Sequence, residues 1–126
     1  LTLTSRAFYN DQLGLAEKYV CETFGYDKAL FMNSGAEANE TAIKLARKWG
    51  YTKKGIAQDE AVIVAARQNF HGRTTTIISA STDPDSRNHF GPFMPGFNII
   101  DYNNVAALDN ALANKNVCAL WLEPIQ

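Results

Sequence analysis

The sequence predicts an α/β fold, a mainly parallel sheet flanked by helices, on three observations. Unbroken apolar runs such as AVIVAA (Ala61 to Ala66) and the apolar part of VCALWLEP are too short for helices. They also lack the alternation of a half-buried strand, which suits strands covered on both faces. Segments of helical period fall between such runs, so strand and helix alternate. Turn-rich stretches of small and polar residues follow the runs directly, at the strand ends where parallel sheets gather ligands.

Taken in order, the chain first offers a helix with Asp11 as N-cap. Leu13, Ala16, Tyr19, Val20 and Phe24 fall three or four apart along it, and Gly25 stops it. Leu30 to Met32 reads as a short strand. The next helix lies within MNSGAEANETAIKLARKWG, with Ala38, Ala42, Leu45, Ala46 and Trp49 as its inner face and Gly50 as its last residue. Glu37, Glu40, Lys44 and Lys48 fall on the other side, where the lysines are expected to be solvated.

Ala61 to Ala66 is a strand buried on both faces, and RQNFHGRT turns sharply after it. A short helix is expected within Thr74 to Ser81. The stretch STDPDSRNHFGPFMPGF carries three prolines and two glycines and reads as an irregular loop, and a loop this long is functional or covered by a partner. Phe90, Phe93, Met94 and Phe97 are too apolar for free solvation. Asn98 to Ile100 is a strand, NNVAALDNALAN a helix packed through Val105, Leu108 and Leu112, and VCALWLEP another buried strand.

Composition narrows the function classes. With 46% hydrophobic and 20% charged residues among 126, the chain is ordinary globular material and the size of one domain. A formal net charge of −1, with its basic residues scattered, gives no footprint for nucleic acid or an anionic membrane surface. No apolar run approaches the ~20 residues of a membrane span, and the first residues lack the charged and apolar regions of a signal peptide. The abrupt ends, at Leu1 and after Pro124, Ile125 and Gln126, suggest a piece of something longer. Cys21 and Cys118 stand in no metal-ligand spacing and are expected to be buried free thiols in a reducing compartment.

Three stretches, Asn33 to Glu37, Asn69 to Arg73 and Glu123 to Gln126, each follow an expected strand and should share one rim. Ser34 and Glu37 have the spacing of a capping box, which accounts for both side chains without a ligand. Gly35 and Ala36 add something else. Their small side chains bare unpaired amides at the positive end of a helix, a geometry suited to phosphate. Neither a P-loop nor a GxGxxG turn is present.

Phe70 at a strand exit is either core or a platform for a flat ligand, and His71 is expected to be a hydrogen-bonded structural residue. Arg73, beside Gly72, can hold a carboxylate through two parallel hydrogen bonds or make a surface ion pair. Glu123 either orients a ligand or pairs with an arginine.

Together these segments resemble the class III, or ω, aminotransferases that depend on pyridoxal 5′-phosphate (PLP), and the resemblance covers essentially the whole chain. NSGAEANETAIKLAR resembles the phosphate-binding turn and helix of that family, NFHGRT its cofactor-stacking segment, FGPFMPGF its following loop, and LEPIQ the strand end before a Gly-Glu step. LTLTSRAFYND, ARKWGYTKKGI and STDPDSRNHFGPFMPGF are most similar to the ornithine-using branch.

The resemblance implies that residues 1–126 are a single fragment of a fold-type-I, PLP-binding large domain, taken from a homodimer with active sites at the subunit interface. It implies transfer of the δ-amino group of ornithine to 2-oxoglutarate, and a location in the cytoplasm or mitochondrial matrix. It assigns the amides around Ser34, Gly35 and Ala36 to the cofactor phosphate, Phe70 to stacking on its ring, Glu123 to its vicinity and Arg73 to a substrate carboxylate. His71 receives no catalytic role.

The family's Schiff-base lysine and the Asp that pairs with the pyridine nitrogen have no matching segment. Lys18, Lys28, Lys44, Lys48, Lys53, Lys54 and Lys115 all lie in other contexts. The competing expectations are an acetylornithine or 4-aminobutyrate type enzyme, a non-catalytic binding or assembly module, and a generic phosphate binder.

Overall fold

The computed structural model describes residues 10–126; residues 1–9, which make up most of LTLTSRAFYND, lie outside the described residues. The chain forms two compact units, Leu1–Asn33 and Ser34–Gln126.

The first unit is built on helix α1, Asp11–Phe24. Its cap is Asn10, one residue before the expected Asp11. Asn10 Oδ1 accepts from the N–H groups of Gln12 (2.9 Å) and Leu13 (3.3 Å), which leaves Asp11 in the first turn, where its charge suits the helix dipole. Gly25 ends the helix as expected, with φ 73° and its N–H on Cys21 O. The predicted apolar face is not buried, and Tyr19 and Phe24 are largely exposed. None of the α1 residues is buried among the described residues. Leu30 to Met32 is not a strand either, and Leu30 is exposed. A strand exists only through its ladder, and the sheet draws its strands from later residues.

The second unit opens with α2, Gly35–Trp49, which passes into a wider π-helical turn over Gly50–Lys54. Gly50 is therefore not the end of the helix. It keeps helical angles, and the helix stops at Gly55, whose φ is 77°. Gly50 has a packing reason instead, because a Cβ there would lie 2.9 Å from Cys118 Cβ.

Strands β1 (Val62–Ala66), β2 (Phe97–Ile100) and β3 (Val117–Trp121) form an all-parallel sheet in the order β2-β1-β3. Short helices α3 (Thr75–Ile78) and α4 (Pro84–Arg87) link β1 to β2, and α5 (Val105–Leu112) links β2 to β3. The long proline-rich stretch is thus not wholly irregular, because Asp83 caps α4 by accepting from Asp85 N–H and Phe97 starts β2.

Two arginines order the rest of that stretch. Arg87 donates to the carbonyls of Ile78, Ser79 and Ser81 and lies 3.8 Å over the Phe93 ring, while Arg47 donates to Pro95 O and lies over Phe97. Of the four residues expected to resist solvation, Phe97 is half-buried under Arg47, whereas Phe90, Met94 and, despite Arg87 over its ring, Phe93 stay exposed.

The core has two sides. On one, Ile63 packs with Ile43 of α2 and Ile77 of α3; on the other, Val64 packs with Val117 and with Ala111 of α5. Each fully buried branched side chain contributes about 1.5–3 kcal/mol. Two expected faces are corrected. In α2 the inward residue is Ile43, flanked by Ala36 and Ala46, whereas Leu45 is 67% and Trp49 49% exposed. In α5 the inward pair is Leu108 and Ala111, and Val105 and Leu112 point out. Lys44 and Lys48 are solvated as expected, but Glu40 accepts from the Thr74 hydroxyl. As an edge strand, β3 is only partly covered, and Leu120 is exposed. Cys21 and Cys118 are free thiols but half-buried rather than buried, and burial pushes the Cys118 thiol up.

Candidate functional site

The carboxyl end of β1 feeds residues 67–73, and this turn is where the expected rim residues meet. Asn69, buried, ties it down by donating to Ala66 O (2.6 Å) and Ala80 O (2.9 Å). Phe70 N–H then donates to Glu123 Oε2 at 3.0 Å, which joins the exit of β1 to the residues after β3. Gly72 joins the same turn to α2. Its φ is 132°, and a Cβ there would lie 3.0 Å from both Ala36 Cβ and Ile77 Cδ1. The first of the three expected stretches does not follow a strand, yet its helix half still reaches the rim through Ala36.

At the start of α2, Ser34 Oγ accepts from Glu37 N–H at 3.2 Å, the forward half of the expected capping box. Among the described residues no acceptor meets the amides of Gly35 or Ala36, as helix geometry dictates for a first turn. Among the described residues nothing lies within 4 Å of a Cβ built on Gly35. The packing of the described residues therefore gives no reason for glycine at that position, and the open space beside two free amides suits an anion.

Phe70 is 59% exposed, so it is not core. The Arg73 guanidinium sits 5.6 Å from the Phe70 ring centroid and has no carboxylate partner among the described residues. Phe70 is thus exposed rather than core, and Arg73 makes no ion pair among the described residues. Glu123 pairs with no arginine among the described residues either; it serves the Phe70 main chain. The arrangement can hold an anion at the helix start, a flat ring against Phe70 and a carboxylate at Arg73.

His71 differs from its expected hydrogen-bonded role. It is 8% exposed, its imidazole stacks on Trp121 with centroids 3.9 Å apart, and Nε2 has no partner. Burial lowers its pKa from the ordinary 6.5, with the Glu123 charge opposing. Below pH 6.5 the unfolded chain takes up a proton that the folded chain refuses until its own lower pKa is reached, so stability is lost as pH falls through that window. His71→Phe is expected to flatten that part of a pH–stability curve measured by denaturant unfolding; an unchanged slope would remove His71 as its source.

Two residues that the sequence did not single out complete the cluster. Asn39 donates from Nδ2 to His71 O (2.8 Å), and Trp121 Nε1 donates to Asn39 Oδ1 (3.0 Å). The available signal was a poor helix former placed within a strong helix. No cluster of potential metal ligands and no helix long and apolar enough to cross a membrane is found among the described residues.

A family model described as Aminotransferase class-III matches residues 1–126. The chain is 60% identical over its whole length to the mitochondrial ornithine aminotransferase of Drosophila ananassae, of which it covers 29%. The crystal structure of the ornithine aminotransferase from Toxoplasma gondii superposes with a TM-score of 0.97 at 53% identity, covering all of this chain and 30% of that one. An acetylornithine aminotransferase from Elizabethkingia anophelis gives a TM-score of 0.76 at 56% identity, covering 98% of this chain and 30% of that one. The chain thus spans about 30% of the length of these relatives.

Proposed function

The chain belongs to the class-III aminotransferase family, and from that premise we propose that it forms the phosphate-binding and ring-face half of an active site. The full-length enzyme would transfer the δ-amino group of L-ornithine to 2-oxoglutarate, yielding glutamate 5-semialdehyde and glutamate. One observation carries the reading: an exposed Phe70, its N–H held by Glu123, in the same turn as a Gly72 that abuts a helix start with two free amides.

The donor set fits PLP. The amides of Gly35 and Ala36, beside Ser34, would hold its phosphate, Phe70 would cover one face of its ring, and Glu123 would fix the height of Phe70. Arg73 would bind a substrate carboxylate. When bound, PLP supplies an electron sink for the electrons released at the substrate carbon. The lysine that anchors the cofactor and moves the proton would lie outside these 126 residues, since no lysine belongs to the cluster described above.

Residues 1–126 would thus be part of the large domain of a homodimer whose partners are amino acids and 2-oxo acids, working in the mitochondrial matrix or the cytoplasm. The 126-residue chain alone is expected not to transaminate.

The test is the absorption of the purified full-length enzyme with PLP, before and after L-ornithine, with N-acetylornithine and 4-aminobutyrate in parallel. Bleaching of the visible cofactor band by ornithine supports the reading. Bleaching by N-acetylornithine alone would favour the second reading, for which the Elizabethkingia similarity speaks. An enzyme that takes up no PLP would reject both, leaving a non-catalytic module.

Gly35→Val gives a separate check. Because a Cβ there meets nothing within 4 Å among the described residues, the melting temperature should hardly move, while PLP affinity falls by about tenfold or more as the phosphate's approach is blocked. Undiminished affinity would remove the helix start from the site.

A further inference from the structure

We propose that Asn39 is a positioning residue of this site, holding the turn that carries Phe70 and Arg73 at a fixed height against the first turns of α2. The proposal rests on the PLP reading above and deepens it by naming what aligns the ring face and the carboxylate site with the helix start.

Both ends of the Asn39 carboxamide are used, and they are not interchangeable. Nδ2 donates to His71 O at 2.8 Å, while Oδ1 accepts from the Trp121 indole at 3.0 Å. A flipped amide would set oxygen against oxygen and N–H against N–H, so the indole fixes which end faces His71. One side chain on α2 thereby reaches partners 32 and 82 positions away in sequence.

The partner is the main chain of His71, not its ring. The imidazole is stacked on Trp121 at 3.9 Å and 16°, and its Nε2 makes no hydrogen bond. The ring acts as a plate against the indole, and the carbonyl is the handle by which α2 holds the turn.

Phe70 N–H is held by Glu123, Gly72 abuts Ala36 of α2 and Ile77, and Thr74, next after Arg73, donates to Glu40 of α2. Release of the His71 carbonyl removes the hydrogen bond from α2 to the middle of the turn, so the turn pivots on these remaining contacts and Phe70 and Arg73 change their height relative to Gly35 and Ala36. A displacement of about 1 Å at such groups is enough to cost about a hundredfold in rate.

The test uses the full-length enzyme with PLP and three variants: Asn39→Ala, Asn39→Asp and Trp121→Phe. Alanine is the better helix former, so Asn39→Ala should melt close to the unsubstituted protein. Aspartate keeps the indole bond, loses the donor to His71 and sets a carboxylate oxygen against the His71 carbonyl. Both Asn39 variants are expected to weaken PLP affinity by about tenfold, the loss of one well-made hydrogen bond. They should also change the circular dichroism induced in the bound cofactor's visible band and raise KM for carboxylate substrates more than they lower kcat. Trp121→Phe keeps the Asn39 to His71 bond and should hold PLP affinity within about threefold.

Asn39 variants that match the unsubstituted enzyme in affinity, dichroism and KM would overturn the proposal. So would a Trp121→Phe loss as large as theirs, which would assign the positioning to the ring stack. Unfolding of both Asn39 variants would overturn it too, by assigning Asn39 to the fold. An unsubstituted enzyme without a cofactor band would reject the PLP reading itself, whereas a normal band with silent Asn39 variants rejects only this proposal.

Discussion

Gly72→Val in the full-length enzyme is expected to destabilise the protein by about 2–6 kcal/mol and to abolish retention of PLP through dialysis. Two costs add. At φ 132° a residue with a Cβ is strained, typically by about 1–3 kcal/mol. The new side chain would also have to displace Ala36 Cβ and Ile77 Cδ1, each 3.0 Å from the first added carbon, and overpacking of this kind costs about 1–3 kcal/mol. Neither neighbour gives way easily, because Ile77 is buried in the core and Ala36 sits in the first turn of α2.

The contrast with Gly35→Val is informative, since there the fold should be indifferent and only the ligand should notice. Denaturant unfolding and cofactor release measured on both variants separate the two glycines. A Gly72→Val protein with unchanged stability would show that the turn relaxes away from α2 at little cost.

The second large effect is expected at Arg73. An arginine that holds a carboxylate with two charge-assisted hydrogen bonds should, when cut to alanine, lower kcat/KM by about 10²–10³. PLP affinity should fall far less than substrate use, because the Arg73 guanidinium lies 5.6 Å from the Phe70 ring centroid and the Phe70 main chain is held separately by Glu123. Arg73→Lys should recover only part of the loss, since a point charge cannot reproduce the planar fork. Steady-state kinetics with ornithine and with 2-oxoglutarate, set beside a PLP titration, decide the matter. Equal loss of substrate use and cofactor affinity would sink the assigned role.

Much of the architecture could be read from local pattern. Val62 to Ala66 is unbroken, branched and small, and it is the central strand; Ser34 and Gly25 act as the caps their chemistry suggests. The errors share one physical cause, which is that a local pattern does not say what lies opposite. Helix α2 carries two apolar stripes, Ala38-Ala42-Leu45-Trp49 and Ala36-Ile43-Ala46-Gly50, about 120° apart at 100° per residue. The bulkier stripe, with Ala46 added to it, drew the inward assignment, yet of those residues only Ala46 packs on the core, beside Ile43.

Leu30 to Met32 has strand composition, but pairing is a property of two segments and cannot be read from one. At the site, residue types and strand-end positions brought out Phe70, Arg73 and Glu123. Asn39 and Trp121 stayed hidden, because their importance lies in a hydrogen bond spanning 82 positions.

The strand order β2-β1-β3 has a further consequence for how the protein is made. The central strand leaves the ribosome first, and neither of its neighbours exists when it does. Between Ala66 and Trp121 the ribosome needs roughly 3 to 11 s at about 5–20 residues per second. During that interval β1 presents unsatisfied hydrogen-bonding edges, and the Phe70 amide has no Glu123 to meet. The turn at the end of β1 is thus synthesised early and shaped late, and chaperone occupancy on the nascent chain should persist until β3 has emerged.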